Sequence, residues 1–191
     1  MAYFLAPGSY AADRLIDAEA LVKLPDDITT EQAATVLTKG LTAWTALNGF
    51  HRLQAGETIL VQGASSSVGL LLARWAKVRG ATVIGTAGAG KRDALRADVH
   101  GGTIVDIGAA SGAPAIDAPS LAARGVKVLG GPMAQHLQGD AREQATRAVF
   151  DALRSGVFGQ IDVTRYPLSA AATAHADIAA RSRSGSAILV P

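Results

Sequence analysis

The sequence contains no cysteine, which excludes disulfides and thiolate metal centres. Aromatic residues make up only 5%, too few for the stacking platforms that single-strand nucleic-acid binders interleave with basic residues. The net charge is +2, and Lys and Arg are scattered without a block of one sign, which argues against nucleic acid as a partner. No apolar stretch approaches the ~18 residues that a membrane span needs. The opening stretch, Met1 to Gly8, has no basic segment and is interrupted by Pro7, unlike a secretory signal. The expectation is a soluble cytoplasmic protein with no membrane and no nucleic-acid partner. The four histidines, His51, His100, His136 and His175, do not stand at metal-ligand spacing from one another, so no metal is expected. Ser65–Ser67 superficially suggests a nucleophile on a strand–helix turn, but Gly-x-Ser-x-Gly is absent and no Asp…His order accompanies it.

What is present points to a packed globule. Hydrophobic residues are 49% of 191, enough for one well-buried domain with a smaller appendage. Residues 9–24 contain short β-prone pieces, ended by Pro25. Thr29 and Gln32 form a capping-box pattern before Ala33, Val36 and Leu37. Gly40 interrupts that pattern, and Leu41–Leu47 resumes it as a second helical piece. Glu57–Gln62 reads as a buried strand, Gly63–Ser67 as a tight turn, and Val68–Val78 as a helix with Val68, Leu71, Leu72 and Trp75 on one face. Gly80 stops the helix and Ala81–Thr86 is a second strand, completing a βαβ unit with a right-handed crossover.

Lys91–Ala97 then reads as a short helix, Thr103–Gly108 as a strand, Gly108–Pro119 as a loop and Val126–Leu129 as a strand. Asp140 with Glu143 caps a helix carrying Ala145, Ala148, Val149, Ala152 and Leu153, and Gly156 ends it. Ser169 opens an Ala-rich helix ending near Arg181, and Ser186–Val190 is a terminal strand. Trp75 and Phe150 sit at core spacing. Alternating strands and helices predict an α/β fold, Rossmann-like, with a largely parallel sheet.

A strand, a turn of small residues and a helix N-terminus together make an anion seat, because first-turn amides lack partners and the helix dipole favours negative charge. Here the turn runs Gly63-Ala64-Ser65-Ser66-Ser67-Val68-Gly69. It departs from GxGxxG, with Ser66 and Ser67 where glycines are expected. Serine is small, and its hydroxyl can itself bond a phosphate oxygen. The structural alternative is the same turn without a ligand. At the end of the second strand an acidic residue would favour NAD. This chain instead has Gly85 to Gly90 followed by Lys91 and Arg92, with no carboxylate until Asp93. That pattern suits a 2′-phosphate and hence NADPH. The plain alternative, solvated cations opening a helix, places positive charge at the unfavourable end of the dipole.

Several segments in order resemble the zinc-free quinone oxidoreductases, of the zeta-crystallin type, in the medium-chain dehydrogenase/reductase superfamily. These are Lys39-Gly-Leu-Thr-Ala-Trp44, Ala55 to Ala64, Ser67-Val68-Gly69, and Ala81 to Gly88. The close is similar too: Arg165-Tyr-Pro-Leu168, Ala174-His175, Ala180-Arg181 and Ser184 to Pro191. The resemblance implies an NADPH-dependent oxidoreductase passing hydride to a quinone or enone. It implies Ser66, Ser67, Val68 and Gly69 at the pyrophosphate, with Thr42 and Trp44 near the nicotinamide end. Gly88, Lys91 and Arg181 would lie at the adenosine side, the two cations on the 2′-phosphate. Ile107, Gly108 and Ala109 would line the nicotinamide side. A homodimer through the strand around Val126–Leu129 is also implied. No side-chain nucleophile is needed, since the cofactor carries the hydride, and no catalytic residue is assigned.

Against that family the chain begins inside the N-terminal GroES-like domain and is shortened between Ala97 and Gly101. More than one strand and helix are missing there, at ~30 residues per βαβ unit. The expected organisation is a GroES-like remnant over 1–28, a shortened nucleotide-binding domain over 29–160, and a C-terminal return to the catalytic domain over 161–191. The sheet must then close around the missing member or be covered by a partner. A nucleotide-binding or dimerisation module without turnover, or a non-functional shortened relative, is the alternative to a working enzyme.

Overall fold

The computed structural model describes residues 1–86, 102–107, 117–180 and 185–191. The short helix expected over 91–97 and most of the loop expected after Gly108 lie outside these residues. Helix α1 spans Thr30–Trp44, and its start is the predicted capping box: Thr29 Oγ1 accepts the Gln32 amide at 3.1 Å, and Gln32 Oε1 accepts the Thr29 amide at 2.9 Å. Gly40 does not interrupt this helix. A Cβ at Gly40 would stand 2.7 Å from Val149 Cγ1, so the glycine is the point of close approach to α4 (Asp140–Arg154). The interruption expected there yields to packing, which outweighs the modest helix cost of one glycine. Past Trp44 the coil widens into a π-helical turn, Thr45–Phe50.

Strand β1 (Thr58–Gln62), helix α2 (Ser67–Val78) and strand β2 (Thr82–Thr86) form the expected βαβ unit, with β1 parallel to β2 and Leu60 opposite Ile84. Arg79, just past α2, fastens the preceding loop by donating to Leu47 O at 3.2 Å, Asn48 Oδ1 at 3.0 Å and Leu53 O at 3.0 Å. Strand β3 (Gly102–Asp106) pairs in parallel with β4 (Val126–Gly130). Between them Asp117 caps a short helix α3 (Ala118–Ala123), accepting the Ser120 amide at 3.2 Å. The expected loop therefore ends sooner than predicted: Pro119 sits in the first turn of a helix, where its missing N–H costs nothing.

Helix α4 starts without the predicted cap. Gly139, at φ +51°, occupies the cap position and Asp140 is the first helical residue, with no capping hydrogen bond from a side chain. Asp140 and Glu143 still suit the positive end of the dipole. Strand β5 (Val163–Pro167) pairs in parallel with β6 (Ser186–Val190), and α5 (Ala171–Ala179) lies between them in sequence. A 3-10 turn, Leu168–Ala170, precedes α5 where the sequence pattern opened the helix directly. The β-prone pieces over 9–24 form no ladder: a 3-10 turn covers Ala18–Ala20, and Ala2 meets Val22 in an isolated antiparallel bridge.

The described strands thus make three parallel pairs, and these pairs do not merge into one sheet. The first two share a common core, while β6 of the third lies against α1. Leu41, Val149 and Phe158 are fully buried, Trp75 and Phe150 lie inside as expected, and Trp75 meets Phe158 edge-on with centroids 5.4 Å apart. Val83 of β2 and Val105 of β3 pack on the same cluster. Among the described residues, no helix is long and apolar enough to cross a membrane.

Candidate nucleotide site

The turn after β1 is built around a contact that permits no side chain. A Cβ at Gly69 would lie 2.2 Å from Gly63 O, so the first turn of α2 packs directly on the strand's exit. The Ser66 amide donates to Gly63 O at 2.8 Å, closing the turn. Ser66 is the N-cap: its backbone is extended, at φ −74° and ψ 161°, and its Oγ accepts the Gly69 amide at 3.1 Å. This explains why serine stands where glycine was expected. An extended cap position suits an L-residue, and the hydroxyl satisfies an orphan amide. Its own proton remains available to an anion.

Ser67 opens the helix, one residue earlier than the pattern indicated. The Ser67 and Val68 amides, first in the helix, have no acceptor among its own carbonyls. No acidic residue occupies the first turn of α2, so the helix sets no negative charge of its own against the dipole there. Ser65, Ser66 and Ser67 are exposed. On the strand beside the turn, a Cβ at Gly85 would lie 2.8 Å from Ala64 Cβ, so Gly85 lets β2 approach, a role that the sequence reading did not assign. The seat is an open surface turn. Cavities of about 200 and 630 Å³ lie elsewhere, the first between α1 and the segment entering β5, the second against α4.

Of the residues expected at the nicotinamide side, Thr42, Trp44 and Ile107 are among those described. Ile107 follows β3 directly, is half-buried and packs on the core. Thr42, near the end of α1, donates from its hydroxyl to Thr38 O at 2.8 Å or to Met133 Sδ at 3.3 Å, Met133 lying three residues beyond β4. Trp44 belongs to the core cluster, 9% exposed, so Thr42 supplies the polar group at this end of α1. Gly88, Lys91, Gly108, Ala109 and Arg181 lie outside the described residues. The turn at Ser66–Gly69 follows β1 and Ile107 follows β3, and these strands belong to different pairs.

Sequence reasoning missed two further residues. Met133, in Gly130-Gly-Pro-Met133, carried no periodic or motif signal. Lys39 was quoted within a motif but given no role. Its ammonium donates to the hydroxyl of Ser186 on β6, and no carboxylate pairs with it among the described residues. Burial holds its pKa below the ordinary lysine value. At the surface, by contrast, Glu57 is stabilised as a carboxylate by the Gln54 amide first and His51 second.

No family model matches the chain. It is 45% identical to a quinone oxidoreductase of Pseudomonas aeruginosa over 87 residues, which are 45% of this chain and 27% of that protein. It is 26% identical to the 2-haloacrylate reductase of a Burkholderia species, a match covering 96% of this chain and 71% of the relative. The Escherichia coli quinone oxidoreductase solved with NADPH superposes with a TM-score of 0.84 at 25% identity, over 95% of this chain and 72% of that one. In sequence and in fold the chain resembles quinone oxidoreductases of the medium-chain dehydrogenase/reductase superfamily. It spans just over a quarter of the first of these proteins and under three quarters of the second. The haloacrylate reductase match runs over 237 positions, more than the 191 residues of the chain described here. The reductase therefore carries residues inside the matched span that have no counterpart here.

Proposed function

We propose that this chain binds NADPH on the turn from Gly63 to Gly69 and positions it for hydride transfer to a quinone or enone. The observation that carries the reading is the Ser66-capped start of α2, glycine-packed on β1, with free first-turn amides and no acidic residue beside them. Similarity to proteins named as quinone oxidoreductases and to a 2-haloacrylate reductase supports the substrate class. Ser66, Ser67, Val68 and Gly69 hold the pyrophosphate, and Lys91 and Arg181 take the 2′-phosphate, with Gly88 at the same end. Thr42, Trp44, Ile107, Gly108 and Ala109 border the nicotinamide. NADPH, when bound, supplies the hydride; the chain's own residues bind and orient it. The residues present fit such a group, because the turn offers donors and no competing carboxylate.

Within this reading, residues 1–28 are a GroES-like remnant, 29–160 the nucleotide-binding unit and 161–191 the return segment, and a second copy pairs through Val126–Leu129. Titration with NADPH, followed by fluorescence or calorimetry, tests the binding step, and no binding at millimolar cofactor would refute it. Lys91→Glu combined with Arg181→Ala should weaken NADPH much more than NADH, whereas equal losses remove the 2′-phosphate assignment. The second reading, a nucleotide-binding or dimerisation module without turnover, is favoured by the residues that the haloacrylate reductase carries and this chain does not. Steady oxidation of NADPH by a simple quinone decides against it.

A further inference from the structure

Thr42 has one hydroxyl proton and two acceptors, Thr38 O at 2.8 Å and Met133 Sδ at 3.3 Å. A thioether is a weak acceptor, so the carbonyl oxygen holds the proton while the sulfur is reduced. Met133 opens a 3-10 turn, Met133–His136, that is packed at its far end. At its far end the His136 ring meets Phe50 with centroids 4.2 Å apart, and a Cβ on Gly49 would stand 2.9 Å from the same ring. The turn therefore has little freedom to move away from Thr42. Met133 itself is half-buried, while Gly130, Gly131, Pro132, Ala134 and Gln135 around it are exposed. Its side chain is therefore partly accessible, in a turn whose other residues next to it face solvent.

We propose that Met133 is an oxidative modification site, where peroxide makes a sulfoxide that captures the Thr42 hydroxyl and alters the end of α1. In this step one peroxide oxygen bonds to the sulfur as the O–O bond breaks, and the other oxygen leaves as water. The sulfur loses two electrons and the peroxide gains them. The sulfoxide oxygen is a strong acceptor on a side chain that had been apolar, so the contact changes from incidental to dominant. The effect on cofactor rests on Thr42 lying at the nicotinamide end. The modification and its effect on α1 do not.

The full chain should be treated with graded hydrogen peroxide, mapped by peptide mass, and assayed for tryptophan fluorescence and NADPH affinity. Met133→Leu, which cannot be oxidised there, is treated in parallel. Met1, the other methionine and 69% exposed, serves as the internal reference for oxidant strength. The expected result is one added oxygen on Met133 in the folded protein, and a fluorescence change, since Trp44 lies two residues from Thr42. A fall in NADPH affinity of about fivefold should accompany it. All three should be reversed by a methionine sulfoxide reductase and be absent from Met133→Leu. A Met133 that stays unmodified while Met1 is fully converted overturns the proposal. So does a modified Met133 that leaves both fluorescence and affinity unchanged. If untreated protein binds no NADPH, the proposed function fails, and mass and fluorescence still decide the fate of Met133.

Discussion

The pairs β1–β2 and β3–β4 are both parallel and five residues long, yet they are supported very differently. The first is spanned by α2, twelve residues long, capped by Ser66 and buried through Leu71, Leu72, Trp75 and Ala76. The second is spanned within its described residues by α3, six residues long. The better-built pair is nevertheless the more exposed on its outer face, where Leu60 and Ile84 are 41% and 54% accessible. β3, with the weaker helix, is half-buried from Thr103 to Asp106. A parallel sheet ordinarily has both faces covered. Local assembly and completeness of the sheet are thus separate properties: a βαβ unit forms from its own sequence, while its outer face depends on elements further along the chain.

The sharpest way to break the first pair is at its turn. Gly69→Ala forces a Cβ to within 2.2 Å of Gly63 O, a backbone atom that cannot swing aside, and should cost about 3 kcal/mol. Denaturant unfolding reads the loss, and NADPH affinity should fall with it. A smaller effect follows at the frame shared by both pairs. Gly40→Ala meets Val149 at 2.7 Å, but a valine side chain can be removed. The single change should cost about 2 kcal/mol, and Val149→Ala in the same chain should recover part of it. Additive losses in that double variant would mean that α1 and α4 do not touch as described.

These two glycines also show what could be read from the chain. The Gly63–Gly69 turn was legible because its spacing between a strand and a helix is a local pattern, and so was the Thr29–Gln32 box. Gly40 was misread as a break because its partner, Val149, lies more than a hundred residues away. Met133 and Lys39 were silent as site residues for the same reason, since Thr42 and Ser186 are brought to them only by the tertiary fold. A sheet lacking a member was expected from the sequence near Ala97–Gly101. What the sheet does in response was not, because it depends on pairing between distant strands.

Lys39 gives a third, pH-dependent test. Burial lowers its folded-state pKa below the 10.5 of an unperturbed lysine, so folding disfavours the ammonium. Below the folded value the charge is carried in both states and its burial cost is present in full. Stability then rises with pH from the folded pKa toward 10.5, because the unfolded chain binds more protons across that window. Lys39→Met should remove this rise and raise stability at neutral pH by about 1 kcal/mol. The loss of the Ser186 contact works against that gain. Thermal unfolding of both proteins between pH 7 and pH 10 isolates the difference. Identical slopes would show that the ammonium is not desolvated.

The smallest expected effect bears most directly on the outer face of β1. Leu60 points away from the core and its register partner Ile84 is exposed beside it. Val61, the next residue, is 6% exposed and belongs to the core cluster. Val61→Ala should therefore cost about 2 kcal/mol, whereas Leu60→Thr should stay within about 0.5 kcal/mol for the isolated chain. Threonine is itself β-branched and suits a strand, so the comparison is not confounded by poor strand propensity. If the chain pairs with a second copy over this face, Leu60→Thr would cost more at high protein concentration than at low, because dimerisation then contributes to stability. Unfolding of the two variants across a hundredfold range of concentration distinguishes a bare face from one covered by association.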